Sequence, residues 1–215
     1  MKVSDLYQSL QSSRLLPIIN GKDSLLVSSV IESLISASLP LIEITLRDNN
    51  SLKTLNAIRK KFPRFIIGAG TVIRIEDAKK AIGAGADFLV SPGLSQDIAE
   101  YTASHSVPYL PGVSTSTEIQ QAYCLGITVL KWFPADLLGG PKMLSVLDGP
   151  FGHYGIKFIP TGGINENNFV DYLKLTNVQA VGGSFIIPEK ILTQNNLSET
   201  IQHVRYVVKL ARGSK

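Results

Sequence analysis

The sequence predicts an α/β protein of the (β/α)8 (TIM) barrel class with an extra helix before the first strand. Three observations carry that prediction. Eight short apolar runs recur along the chain, their starts roughly 20 to 29 residues apart, the length of a strand, a helix and two turns. Several runs carry apolar residues on both faces, as parallel strands covered by helices do. The segments between them carry apolar residues at helical spacing. The alternative is an open doubly wound sheet, which needs fewer strands and a topological switch point.

Residues 3–12 form the extra helix, and the first strand follows at 15–20. Residues 24–37 repeat Leu26, Val27, Val30, Ile31, Leu34 and Ile35 on one helical face. The next strands are expected at 41–46, 65–70, 87–93 and 108–113, two of them ending in glycine. Thr115-Ser116-Thr117-Glu118 has the spacing of a capping box, in which a threonine oxygen and a glutamate carboxylate serve the free amides of a helix start. Strands at 128–134, 157–163 and 180–187 alternate with helices at 165–175 and 197–211. No linker, low-complexity tract or shift in composition interrupts the alternation, so residues 1–215 read as a single (β/α)8 domain.

The composition narrows the function classes. The 21 lysines and arginines exceed the 17 acidic residues but are scattered. A nucleic-acid surface needs them clustered, so the excess reads as a solvated surface that favours an anionic small molecule. The single cysteine, Cys124, forbids an intrachain disulfide, which fits a reducing cytoplasm. Cys124 sits in an apolar stretch and is expected to pack there. No signal peptide is visible at the N-terminus, and no apolar run approaches the ~20 residues of a membrane span.

Two residues do not fit their strands. Lys131 interrupts Thr128-Val129-Leu130-Lys131-Trp132-Phe133-Pro134, and Glu43 interrupts Pro40-Leu41-Ile42-Glu43-Ile44-Thr45-Leu46. Lysine is almost never fully buried without a partner, and an unprotonated lysine is a nucleophile towards carbonyl carbon. Strand alternation puts Glu43 on the face of Leu41, Thr45 and Arg47, and Lys131 on the face of Val129 and Phe133. If both faces point inward, Glu43 and Lys131 meet near the carboxyl ends of the strands, where barrel active sites lie. A buried structural ion pair is the competing reading.

Three glycine-rich strand ends add to the site. Gly68-Ala69-Gly70-Thr71 allows close approach of a ligand to backbone and offers the Thr71 hydroxyl, which could equally cap a helix. It is not a dinucleotide fingerprint, because Ile73 stands where the third glycine belongs. Thr161-Gly162-Gly163 and Gly182-Gly183-Ser184 end the seventh and eighth runs, where barrels often bind phosphate. His105, His153 and His203 lack metal-ligand spacing. Trp132, of opposite parity to Lys131, is expected to pack against the helices.

Taken together, Glu43-Ile-Thr-Leu-Arg47, Gly68-Ala-Gly-Thr71, Ser91-Pro-Gly93, Pro111-Gly-Val113, Lys131-Trp-Phe-Pro-Ala135, Pro160-Thr-Gly-Gly-Ile164 and Gly182-Gly-Ser184 resemble the class I aldolases of the 2-keto-3-deoxy-6-phosphogluconate (KDPG) and 4-hydroxy-2-oxoglutarate type. The resemblance covers nearly the whole chain, and the order and spacing of its motifs make it specific. It implies a lyase of the Entner–Doudoroff pathway in which Lys131 forms a Schiff base and Glu43, through an ordered water, is the acid/base. It also implies that Arg47 and Thr71 hold the pyruvate carboxylate, that Pro92 and Phe133 line the pocket and that Thr161 touches the substrate. Gly162, Gly163 and Ser184 would take the phosphate, and Arg14, before the first strand, is a weaker candidate for it. Trp132 and Phe185 stand where the family has other aromatics. The resemblance further implies a cytoplasmic homotrimer that needs no cofactor or metal and acts on a phosphorylated 2-keto acid. Its substrate is left open among KDPG, its galactonate epimer and 4-hydroxy-2-oxoglutarate, with Ser184 and the Thr-Leu-Arg ending leaning to KDPG. An isomerase or epimerase using Lys131 and Glu43 without a covalent bond, and a silent ligand-binding barrel, are the competing functions.

Overall fold

The computed structural model describes residues 2–188 and 197–213. Helix α1 (Val3–Ser13) buries Leu6 and Leu10 and ends at Arg14, whose backbone is left-handed with φ 58°. Strand β1 (Leu15–Asn20) follows directly. Then come α2 (Ser24–Ser36), β2 (Leu41–Thr45), α3 (Ser51–Lys61), β3 (Ile66–Gly70), α4 (Ile75–Gly83), β4 (Phe88–Val90) and α5 (Gln96–Ser104). The second half holds β5 (Tyr109–Leu110), β6 (Gly112–Val113), α6 (Ser116–Cys124), β7 (Val129–Trp132), α7 (Gly140–Phe151), β8 (Lys157–Pro160), α8 (Phe169–Leu173), β9 (Val181–Gly183) and α9 (Leu197–Gly213).

All the strand pairs are parallel, and they curl into two ladders, β5-β4-β3-β2-β1-β9 and β6-β7-β8. The expected fifth strand is therefore two. Pro111 divides it, because proline has no N–H to give to a ladder, although its carbonyl still accepts from Lys131 N at 2.9 Å. No ladder joins β8 to β9 among the described residues; single bridges link Phe158 of β8 to Val178, ahead of β9, and Thr161, just past β8, to Gly182 of β9.

Burial follows the pattern expected of covered parallel strands: every residue of β2 and of β7 is buried. Trp132 is fully buried and meets the Phe158 ring edge-on at 6.0 Å. Two further expectations fail. The helix expected over 165–175 is confined to Phe169–Leu173, because Asn165 Oδ1 accepts from Asn167 N and Asn168 Oδ1 accepts from Asn165 N, holding the preceding residues in side-chain turns. Cys124 is exposed, at the last position of α6, while Ile119 and Ala122 hold that helix to the core.

Candidate active site

Glu43 comes from the middle of β2 and Lys131 from β7, on strands of different ladders. In register, Glu43 lies between Ile18 of β1 and Gly68 of β3, and Lys131 lies between Gly112 of β6 and Ile159 of β8. Both point to the same interior. Lys131 Nζ stands 3.4 Å from Glu43 Oε1, with Glu43 1% and Lys131 8% exposed. The ammonium also lies 5.6 Å from the centre of the Phe133 ring. Buried ion pairs that serve only structure are held by further hydrogen bonds. Here Glu43 Oε2 is buried and has no hydrogen-bond partner among the described residues.

Glycine makes room for this pair. A Cβ at Gly70 would fall 2.1 Å from Glu43 Oε1, so the carboxylate occupies the volume a side chain there would need. Beyond it, the backbone of Thr71 is left-handed, φ 61°, an uncommon state for a β-branched residue and one that concentrates at functional sites. The Thr71 hydroxyl accepts from Arg47 Nε at 3.3 Å. Helix α4 opens at Ile75 after Arg74, so Thr71 is not its cap.

On the other side, the backbones of Gly162 and Gly163 are both left-handed, φ 96° and 77°. A Cβ at Gly162 would press on the Phe133 ring at 3.2 Å, and one at Gly163 on Asp136 Cβ at 2.4 Å. The loop after β7 is joined to this turn by Ala135 N donating to Thr161 O at 2.8 Å and Asp136 N to Gly162 O at 3.0 Å. Gly182 is equally constrained, since a Cβ there would meet Thr161 Oγ1 at 2.5 Å. Ser184 opens a 3-10 turn, Ser184–Ile186, at the end of β9.

These residues surround one cleft of about 220 Å3. Glu43, Arg47, Thr71, Pro92, Lys131, Phe133, Thr161, Gly162, Gly163 and Ser184, all expected from the sequence, line it together. Its two cationic side chains, Arg47 and Lys131, lie on the Glu43 side, while the Gly162–Gly163 and Ser184 side offers only neutral groups. The cleft can therefore take an acidic group at Arg47, a carbonyl carbon at Lys131 and a further anion over the glycine turn.

Sequence reasoning missed Ile18, Ile164 and Gly183, which also line the cleft. Ile18 is an apolar residue in an apolar strand, and only its register opposite Glu43 distinguishes it. Arg14 is a correction. It lies at the opposite end of the strands, beside Lys157 at the start of β8, and donates to Leu173 O. Burial pushes its pKa below the usual arginine value. It serves the carbonyl end of α8 and is not in the cleft. His203 Nε2 contacts Phe185 O at 2.9 Å, and His105 and His153 stack on Tyr101 and Tyr154. Among the described residues no group of His, Cys, Asp and Glu is placed as metal ligands are.

Residues 6–204 match the family model described as KDPG and KHG aldolase. The chain is 34% identical over 194 residues to the 2-dehydro-3-deoxy-phosphogluconate aldolase of Treponema pallidum, covering 90% of this chain and 91% of that one. Among solved structures, KDPG aldolase from Legionella pneumophila, with pyruvate captured as a covalent carbinolamine intermediate, is 34% identical. It superposes with a TM-score of 0.89 over 94% of this chain and 97% of that one. The 2-keto-3-deoxy-6-phosphogluconate aldolase of Zymomonas mobilis with 3-phosphoglycerate is 27% identical, with a TM-score of 0.84 over 99% and 97% of the two chains. The chain belongs to the KDPG and KHG aldolase family, and it is a lyase, an aldolase of class I.

Proposed function

We propose that this aldolase cleaves 2-keto-3-deoxy-6-phosphogluconate to pyruvate and glyceraldehyde 3-phosphate, with 4-hydroxy-2-oxoglutarate as a second substrate. The observation that carries the reading is the Lys131–Glu43 pair, 3.4 Å apart and buried beneath a cleft with a guanidinium at one side and a glycine turn at the other. Arg47 and Thr71 hold the C1 carboxylate, since the arginine brings the charge and the threonine hydroxyl stands beside it. The Lys131 amine then attacks the C2 ketone, forms a carbinolamine and loses water to give a protonated imine. Glu43 takes the proton of the C4 hydroxyl. The C4 oxygen collapses to an aldehyde, the C3–C4 bond breaks, and its electron pair moves through C3 and C2 to the imine nitrogen. Glu43 returns the proton to C3 of the enamine, and water releases pyruvate and restores the Lys131 amine. Pro92 and Phe133 form the walls, Thr161 faces the substrate, and the Gly162 and Gly163 amides with the Ser184 hydroxyl receive the phosphate.

Further assignments accompany this reading. The two ladders make one closed (β/α)8 barrel spanning residues 1–215. Support comes from the Pro111 carbonyl bonded across to Lys131, and from the two single bridges near β8 and β9. The protein is a homotrimer: Leu137, Met143 and Val146 lie exposed in and just before α7, an apolar surface that a second copy would cover. It acts in the cytoplasm, because a phosphate ester does not cross a membrane unaided. Its partner is the substrate itself, and the residues that carry the chemistry require no metal or organic cofactor.

A coupled dehydrogenase assay for the released aldehyde tests the reaction, with kcat/KM compared for KDPG, its galactonate epimer and 4-hydroxy-2-oxoglutarate. Lys131→Arg keeps the charge but cannot form an imine, so it abolishes cleavage. Retained turnover in that variant would instead support a non-covalent isomerase or epimerase.

A further inference from the structure

The loop from β4 to α5 carries Pro92 into the cleft, and Pro92 is itself exposed there. Its position is therefore set by the loop backbone and not by packing of its own ring. Two features set that backbone. The first is Gly112, the strand partner of Lys131. A Cβ on Gly112 would lie 2.1 Å from Pro92 O and 2.9 Å from Gly93 N, so the Pro92–Gly93 peptide rests directly on the strand next to the nucleophile.

The second is Tyr109, which lies below the loop and is 5% exposed. Its hydroxyl is 2.6 Å from Ser91 Oγ, and it accepts from Ser95 N at 3.4 Å. Ser91 Oγ in turn donates to Gly93 O. The Tyr109 hydroxyl also reaches Gly93 O, at 3.4 Å, so the phenol and the serine hydroxyl converge on one carbonyl. Ser95 N–H gives to Tyr109, the Tyr109 and Ser91 hydroxyls bond to each other with either able to donate, and both lie within reach of Gly93 O. One phenol thus joins the first, third and fifth residues of the Ser91–Ser95 loop. Burial raises the pKa of the phenol above its ordinary value, opposed in part by the Ser91 and Ser95 hydrogen bonds, and so keeps its donor proton in place.

We propose that Tyr109 is a positioning residue for the reaction at Lys131: through Ser91 it clasps the β4–α5 loop and fixes Pro92 against the carbon that becomes the imine. The proposal rests on the reading of Lys131 as the Schiff-base residue. Tyr109 touches neither substrate nor reacting atoms. Its effect falls after binding, because the wall it holds packs on an imine that exists only once the amine has attacked, whereas Arg47 and the glycine turn bind the substrate without it.

The experiment measures steady-state KDPG cleavage by wild type, Tyr109→Phe, Ser91→Ala and the double variant, with borohydride trapping of pyruvate and thermal unfolding run on each. Tyr109→Phe keeps the ring and removes only the hydroxyl. The expected result is a kcat lower by about tenfold in each single variant, the scale of a sub-ångström misplacement, with KM within about twofold of wild type. The double variant falls no further than either single one, because the hydrogen-bond chain acts as a unit. If Tyr109→Phe does not fold, Ser91→Ala carries the same kcat-against-KM comparison. Lower thermal stability with unchanged kcat in the folded variants overturns the clasp and leaves Lys131 as the nucleophile. A wild type that turns over KDPG but traps no pyruvate overturns both.

Discussion

Gly70 lacks a side chain where Glu43 needs space. Adding one methyl would place it 2.1 Å from Glu43 Oε1 and 2.7 Å from both Cδ and Cγ, so the buried side chain must turn away. Gly70→Ala is therefore expected to lower the unfolding midpoint without preventing folding and to displace the carboxylate from Lys131. Displacing an acid/base group forfeits its contribution, about 10²–10⁴-fold, so kcat should fall by about 10²-fold or more. Unfolding midpoint and kcat measured on the same preparation check it, and an unchanged kcat would mean that Glu43 is not the proton carrier. Lys131 and Glu43 were legible in the sequence because an ionisable residue on an otherwise apolar strand is a contradiction that chemistry must resolve. Ile18 and Ile164 were not, since an isoleucine lining a cleft and one filling a core are the same letter in the same pattern. Gly70 and Gly182 were legible as glycines near a ligand, but the side chains that fill their missing volume, Glu43 and Thr161, come from other strands and only the folded chain brings them together.

Among the elements, α6 shows how a local motif fixes a helix start. Thr115 Oγ1 accepts from Glu118 N at 3.3 Å, and the Glu118 carboxylate accepts from the Ser114 and Thr115 amides at 2.8 and 2.9 Å. Burial acts to raise the Glu118 pKa, but the Ser114 and Thr115 hydrogen bonds outweigh it and hold it below the ordinary glutamate value. A depressed carboxylate pKa means a stabilisation that is full above the unfolded-state value and lost as pH falls through the folded one. Glu118→Ala should lower stability by about 1 kcal/mol at neutral pH, and the gap to wild type should narrow as the pH falls below the usual glutamate range. Denaturant unfolding at several pH values measures it, and a gap that widens in acid would contradict the capping role. This motif was readable because its partners are three residues apart. The split of the fifth strand was less so: Pro111 marks a break in a ladder, but whether the chain continues on the same line depends on its neighbours, β4 on one side and β7 on the other. The short α8 and the true place of Arg14 have the same origin, in asparagine side chains that bond backbone amides and in a carbonyl from a helix more than 150 residues away.

At the level of the whole molecule, the alternation of strand and helix has one chemical consequence. It carries Glu43 of β2 and Lys131 of β7, 88 residues apart in sequence, to one point, with the glycine turns of β8 and β9 on the rim. Periodicity alone gave the alternation of parallel strands and covering helices, because apolar runs separated by amphipathic helices have few ways to bury both faces of every strand. Assembly is another matter. Leu137 and Val146, 85% and 64% exposed, are unremarkable in sequence, and only their surface placement offers them to a second copy. If the proposed homotrimer uses this surface, Val146→Asp should give smaller species than wild type in sedimentation velocity; a monomeric wild type would overturn the trimer, and an assembly unaffected by the substitution would place the contact elsewhere. The covalent chemistry is tested most directly by incubating the folded wild-type enzyme with pyruvate and borohydride and mapping the adduct by peptide mass spectrometry. A reduced pyruvyl group on Lys131, with loss of activity in proportion to its incorporation, is the expected result. An active enzyme that remains unlabelled at Lys131, or is labelled at another lysine, would contradict it.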